Sequence, residues 1–198
     1  MPAVVRLFRV PLAALSACLL AACVTAPIDN TAPPAERHFA DTFLLSGRLS
    51  ASDGTQSASG RLEWQREAEV DRFTVSSPFG QIVARLDAGP AGAELTLMDG
   101  QHLYAERAAD LLPRLFPGIA NNTLPPERLA AWTQAAPPPD AEVRTRDAQG
   151  RPRRVIDQGW IVDYLDYSND APDAAPRRID ITRGDAHLRL LIDRWAAP

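Results

Sequence analysis

The chain has 198 residues with 21 basic against 25 acidic side chains, a formal charge of −4, and 45% hydrophobic residues. That content excludes a disordered chain and supplies one real core, and the absence of a basic excess argues against a nucleic-acid binder. Every basic residue is arginine; two cysteines and three histidines are too few for a disulfide scaffold or a four-thiolate zinc site.

The first residues read as a targeting segment. Arg6 and Arg9 lie in an N-terminus without an acid, and Leu12–Ala22 is a short uncharged apolar run. This is the pattern of a secretory signal peptide over residues 1–22, too short to span a bilayer, which takes about 20 apolar residues. The run ends in Leu20-Ala-Ala-Cys23, which resembles the bacterial lipobox. In that motif the cysteine thiol takes diacylglycerol and becomes the mature N-terminus, so Cys23 is the expected lipid attachment site. Val24 follows where an aspartate would retain a lipoprotein in the inner membrane, which by the same resemblance points to the outer membrane. Residues 23–41, with Pro27, Pro33 and Pro34 and no apolar period, read as a flexible tether. Loss of residues 1–22 removes two arginines and no acid, taking the charge to −6.

Residues 42–198 read as one domain. From Thr42 the apolar period is two: Phe43, Leu45, Gly47, Leu49 and Ala51 share a face, then Gly60, Leu62 and Trp64 after a loop at 52–57. Phe73 and Val75 continue the pattern to Pro78-Phe79-Gly80, where the chain breaks; Ile82, Ala84 and Leu86 resume it. Asp99-Gly100 between Glu94–Met98 and His102–Glu106 is a hairpin signal. The period then changes. Ala108, Leu111, Leu112 and Leu115 are spaced as on a helix, kept short by Pro113, and Leu124-Pro-Pro-Glu127 opens a second helix carrying Leu129 and Trp132. Strand alternation returns after Asp140, through Trp160, Val162 and Tyr164 and then Ile179 and Ile181, to Leu188, Leu190 and Trp195. The count is about eleven strands and two or three short helices, a mainly β protein of the α+β kind built as a barrel or sandwich.

No catalytic set emerges. His38, His102 and His187 are scattered, Asp163 and Asp166 fall on opposite strand faces, and there is no G-x-S-x-G elbow or phosphate-binding glycine loop. Two features remain. The bulky residues of the dry faces either pack solid or line an apolar cavity. Phe79 either folds back to cap the core or stands out as an apolar tip that enters a bilayer or grips an acyl chain.

With these residues in place, the chain resembles the LolB family of outer-membrane lipoprotein receptors. The likeness rests on the lipobox, on Phe43-Leu-Leu-Ser-Gly-Arg-Leu49, on Gly60-Arg-Leu-Glu-Trp64 and on Ser77-Pro-Phe-Gly80. It continues through Leu124-Pro-Pro with Leu129 and Trp132, Gln158-Gly-Trp160, Tyr164 and Tyr167, Pro176-Arg177 and Leu188-Arg-Leu-Leu-Ile-Asp-Arg-Trp195. Two departures stand out: Pro-Phe-Gly where the family usually has Pro-Leu-Gly, and Gln134-Ala-Ala136 where a glycine commonly follows the Trp132 helix. The resemblance implies an open, incomplete antiparallel barrel closed by a helical lid over an apolar cavity. It implies a monomeric receptor without catalytic residues, metal or cofactor beyond the acyl groups on Cys23. On it, lipoproteins pass from a soluble periplasmic carrier of the same fold into the cavity and then into the inner leaflet of the outer membrane. The cavity would be lined by Leu45, Leu49, Leu62, Trp64, Phe73, Val75, Leu97, Trp132, Trp160, Val162, Leu190 and Trp195, and Pro78, Phe79 and Gly80 would form the membrane-insertion loop. The acidic balance of the chain would suit a basic rim on the carrier. A lipid-anchored envelope hydrolase is the alternative from another class.

Overall fold

A computed structural model describes residues 32–116, 119 and 124–197. The expected signal peptide, Cys23 and the tether up to residue 31 lie outside the described residues. Strict alternation builds the sheet. Strand β1 (Thr42–Ser52) turns every second residue inward, and β2 (Ser57–Glu67), β3 (Val70–Ser76), β4 (Ile82–Gly89), β5 (Gly92–Leu97) and β6 (His102–Ala105) follow as a meander. After the helices α1 (Ala108–Leu115) and α2 (Pro126–Thr133), the chain returns as β7 (Glu142–Arg146), β8 (Pro152–Asp157), β9 (Trp160–Tyr167), β10 (Pro176–Arg183) and β11 (Ala186–Ala196).

The eleven strands form one antiparallel sheet in the order β6-β5-β4-β3-β2-β1-β11-β10-β9-β8-β7. The seam between the two meanders is β1 against β11, with Leu45 opposite Trp195 and Leu49 opposite Leu190. A register shift at Ser46/Gly47 bends this pair. Gly47 is required there, because a Cβ would overlap the Leu191 carbonyl. The edge strands β6 and β7 do not pair with each other, so the sheet curls without closing. The chain between those two edges carries both helices, and these cover the concave face.

The inward residues make one core. Trp64 stacks on Phe73 at 4.7 Å and meets Phe43 edge-on at 4.9 Å, while Trp132 and Trp160 lie 6.0 Å apart. Leu111, Leu112 and Leu115 of α1 complete the core from above. Helix α1 is eight residues long with Pro113 inside it, and α2 starts with proline at its first turn, both as the sequence predicts.

The antiparallel register defines two ends. Turns at 53–56, 77–81, 98–101, 158–159 and 184–185 share one end, called the tip end below. The turns at 68–69 and 147–151, the loop 168–175 and the start of β1 share the other, the base. Residues 33–40, read from the sequence as tether, cross the base in contact with the domain. Ala35 N–H donates to the Gly150 carbonyl at 3.0 Å, and Arg37 donates to carbonyls of Gln134, Ala135, Pro172 and Ala174 at 2.8–3.3 Å. A proline-rich sequence without apolar period gives no sign of this, because the stretch is held by hydrogen bonds, chiefly from the Arg37 guanidinium, and not by apolar burial.

Candidate functional site

An inward face that is fully packed leaves no room for a ligand, so the first question is where packing stops. Leu45, Leu62, Trp64, Phe73, Trp132, Trp160, Val162 and Leu190 are buried against one another in the core. Expected as cavity lining, they here fill the interior. Alternation identifies the inward face, but it does not say how far the opposite layer descends onto it. Trp195, partly buried, borders a cleft at the base beside Arg37 and Gln134.

Open apolar space remains at the tip end. A cavity of about 210 Å³ lies between the sheet and the end of α1, lined mainly by the apolar Leu49, Val75, Val83, Leu97, Leu115 and Phe116, with Ser59 and the exposed Arg114 also bordering it. Three of the expected residues, Leu49, Val75 and Leu97, are there. Small side chains make the room: Ala51, Ala58, Gly60 and Ala84 border the same space. At about 30 Å³ per group of water or methylene size, it would hold on the order of seven carbons of one acyl chain. A whole chain needs α1 to lift.

Beside this cavity stands the turn Ser77–Gln81. The Gly80 N–H donates to the Ser77 carbonyl at 2.9 Å and the Ser77 N–H to the Gln81 carbonyl at 2.8 Å, which closes a tight loop. Phe79 at its apex is 94% exposed. It does not fold back onto the core, so the capping alternative fails. Ile82 and Met98 are exposed at the same end, and Met98 N–H donates to the Val83 carbonyl at 3.0 Å, which places the two hairpin tips side by side. From Phe73 to Ala84 the chain carries no charge. Ile82 and Met98 were both missed from the sequence: Ile82 is in phase with Ala84 and Leu86 and so reads as core, while Met98 follows Leu97 at the strand end, on the face of Glu94 and Thr96.

The two helices are held differently. Asp157, 2% exposed, accepts from Trp132 Nε1 at 2.8 Å and from Arg128 at 3.1 Å, and Tyr164 Oη donates to the Trp132 carbonyl at 2.9 Å. These bonds fix α2 to β8 and β9. Burial pushes the Tyr164 hydroxyl well above the usual tyrosine range, and it does the same to Tyr167, whose Oη donates to the Pro152 carbonyl. Helix α1 lies over β4, β5 and β6. Among the described residues no side-chain hydrogen bond or ion pair joins it to the sheet; its one ion pair, Arg107–Asp110, is local.

Polar groups elsewhere are structural. Arg66 and Asp71 form a buried ion pair at 2.8 Å, and Trp64 Nε1 donates to the same carboxylate at 2.7 Å. Burial raises the Asp71 carboxyl above its usual value, against the pull of Trp64 and Arg66. The sequence held a signal for this pair. Arg66 continues the inward series Gly60, Leu62, Trp64, and Asp71 begins the inward series Phe73, Val75, so alternation brings the two together across the hairpin. His102 Nδ1 approaches both Glu94, at 2.7 Å, and Thr96, at 3.4 Å. Sharing one ring nitrogen, these neighbours cannot bracket the imidazole as base and orienting group. Among the described residues no group of three or more His, Cys, Asp or Glu could hold a metal, and no helix is long and apolar enough to cross a membrane.

The family model described as Outer membrane lipoprotein LolB matches residues 41–195. The Outer-membrane lipoprotein LolB of Azoarcus sp. (strain BH72) is 51% identical over 190 residues, 96% of each chain. That of Thiobacillus denitrificans is 37% identical over 190 residues, 94% of this chain and 97% of its own. Among solved structures, a LolA superfamily protein from Nitrosomonas europaea aligns with a TM-score of 0.48 at 10% identity, over 82% of this chain and 88% of that one.

Proposed function

The chain belongs to the LolB family of outer-membrane lipoproteins, and from that premise we propose how its residues carry out the work of a lipoprotein receptor. The receptor acts at the outer membrane. It takes lipoproteins from a periplasmic carrier, holds their acyl chains under the lid and passes them to the bilayer at the tip end. Cys23 carries the acyl anchor. The protein is not an enzyme: neither acceptance nor release breaks a bond.

The observation that carries this reading is the juxtaposition at the tip end. An apolar cavity roofed by a helix with no polar tie to the sheet opens beside an uncharged loop with Phe79 at its apex. Exposing an acyl chain to water costs about 0.8 kcal/mol per methylene, so a path from apolar pocket to apolar tip to hydrocarbon keeps the chain out of water at each stage. Leu49, Val75 and Leu97 receive the chain first. With α1 raised, the space deepens toward Leu62, Phe73 and Trp64. No observation favours the hydrolase, which would need convergent polar groups in that cavity.

Phe79→Glu tests the reading. A glutamate at the apex cannot enter hydrocarbon, yet it leaves the cavity intact. The variant should accept an acylated protein from the carrier in a pull-down and fail to deliver it to vesicles. Delivery at the wild-type rate removes Phe79 from the mechanism.

A further inference from the structure

The strap across the base has a consequence for how the anchored molecule meets its membrane. We propose that the docked segment Pro33–Ala40 sets the reach of the Phe79 tip, holding it short of the bilayer that carries the anchor until Arg37 lets go. The proposal rests on the receptor reading above, in that Cys23 is taken as the anchor and Phe79 as the tip.

Arg37 lies at the far end of the molecule from Phe79. Its partners are the carbonyls after α2 and in the loop 168–175, and its guanidinium lies 5.5 Å from the centre of the Tyr167 ring. Gln134 reinforces the hold, accepting from Ala40 N–H at 2.8 Å and donating to the Ala40 carbonyl at 3.1 Å. Gly150 is shaped for the strap. Its φ is +77°, and a Cβ there would overlap the Pro33 carbonyl. These groups lie at the base, while Phe79 is at the tip end.

Chain length turns this placement into a constraint. The eleven residues of β1 run between the two ends; at ~3.3 Å per residue and a barrel tilt near 40°, the ends are about 27 Å apart along the axis. Ten residue-to-residue steps separate Cys23 from Pro33. Fully drawn out they span at most about 33 Å. With the strap docked, the tip therefore reaches the anchor's own bilayer only on a nearly taut linker. Release back to Asp41 gives eighteen residue-to-residue steps, with a limit near about 60 Å. The docked state favours a base-down posture with the cavity mouth turned toward an arriving carrier. The released state favours the tip-down posture.

The test uses the acylated protein in vesicles of phosphatidylethanolamine and phosphatidylglycerol, with Gln81→Cys bearing an environment-sensitive fluorophore next to Phe79. Two changes lengthen the leash by different means. Arg37→Ala frees the strap, and eight Gly/Ser residues inserted between Thr25 and Ala26 leave the folded domain untouched. Each lengthens the reach of the tip and should raise the bilayer-embedded fraction of the probe severalfold. In a chain lacking Cys23, Arg37→Ala should make no difference. An inserted linker without effect, in a protein whose probe signal still depends on Phe79, overturns the proposal alone. A probe signal indifferent to Phe79→Ala in every form overturns the tip reading and the proposal with it.

Discussion

Ala135 occupies a backbone position that glycine would fill without strain. Its φ is +50°, and it ends α2 in a Schellman arrangement: Ala136 N–H donates to the Ala131 carbonyl and Ala135 N–H to that of Trp132, both at 3.1 Å. A glycine is what the family resemblance leads one to expect after this helix, and the structure supplies a reason that alanine is tolerated here. Gln134, the residue before, uses its side chain to hold the strap and so helps to fix the turn. A β-branched side chain has no such latitude. Ala135→Val meets the left-handed penalty of about 1–2 kcal/mol and must force two methyl groups into a fully buried site, for a loss of about 2–4 kcal/mol in urea unfolding. A loss under 1 kcal/mol would show that the turn can rearrange. The neighbourhood also marks a limit of sequence reading. Gln134 and Arg37 lie 97 residues apart, and neither belongs to a periodic pattern, so nothing local announces that they meet.

At the level of elements, α1 and α2 share a length of eight residues and a proline each, yet they differ in what anchors them. Pro113 deprives α1 of one internal hydrogen bond, and its attachment is its leucine stripe alone. Helix α2 is bonded through Trp132 to Asp157 and Tyr164, and its Arg128 bridges Asp140 and Asp157. Apolar contact is non-directional and lets a helix slide or lift; a set of buried hydrogen bonds has one geometry. Amide hydrogen exchange should therefore show the α1 amides opening at lower free energy than those of α2. Asp157→Ala, which orphans the buried Trp132 Nε1 and leaves Arg128 with Asp140 alone, should bring α2 down to the level of α1. Equal protection in the unaltered protein would remove the distinction. The strands were legible because each has one wet and one dry side. The helices were legible from spacing and proline. Which helix could move was not, since Asp157 sits on a short strand whose partners come from a different element.

Across the whole molecule the sheet is open, and tyrosines of β9 help to close it. Tyr164 ties β9 to α2, and Tyr167 ties it to β8 and lies under both Arg37 and Arg151. The composition makes this closure open to titration. The chain has no lysine, its 21 basic residues are all arginine, and it has three tyrosines, of which Tyr104 is on the surface. Alkaline titration of the folded domain is thus a matter of tyrosine. Burial raises Tyr164 and Tyr167 above the value near 10 that they hold when unfolded. Below pH 10 both states keep these protons and stability is indifferent to them. Above it the unfolded chain loses them while the folded chain keeps them, so the folded state binds more protons and stability falls as pH rises, by ~1.4 kcal/mol per unit for each tyrosine. Tyr164→Phe should lose about 1 kcal/mol at pH 9 through the missing bond to the Trp132 carbonyl. Above pH 10 its stability should then decline less steeply than that of the unaltered protein. Urea midpoints at pH 9, 10 and 11 measure both effects. Parallel slopes would mean that Tyr164 ionises in the fold as readily as in water, and that the interior beneath the lid is open to solvent.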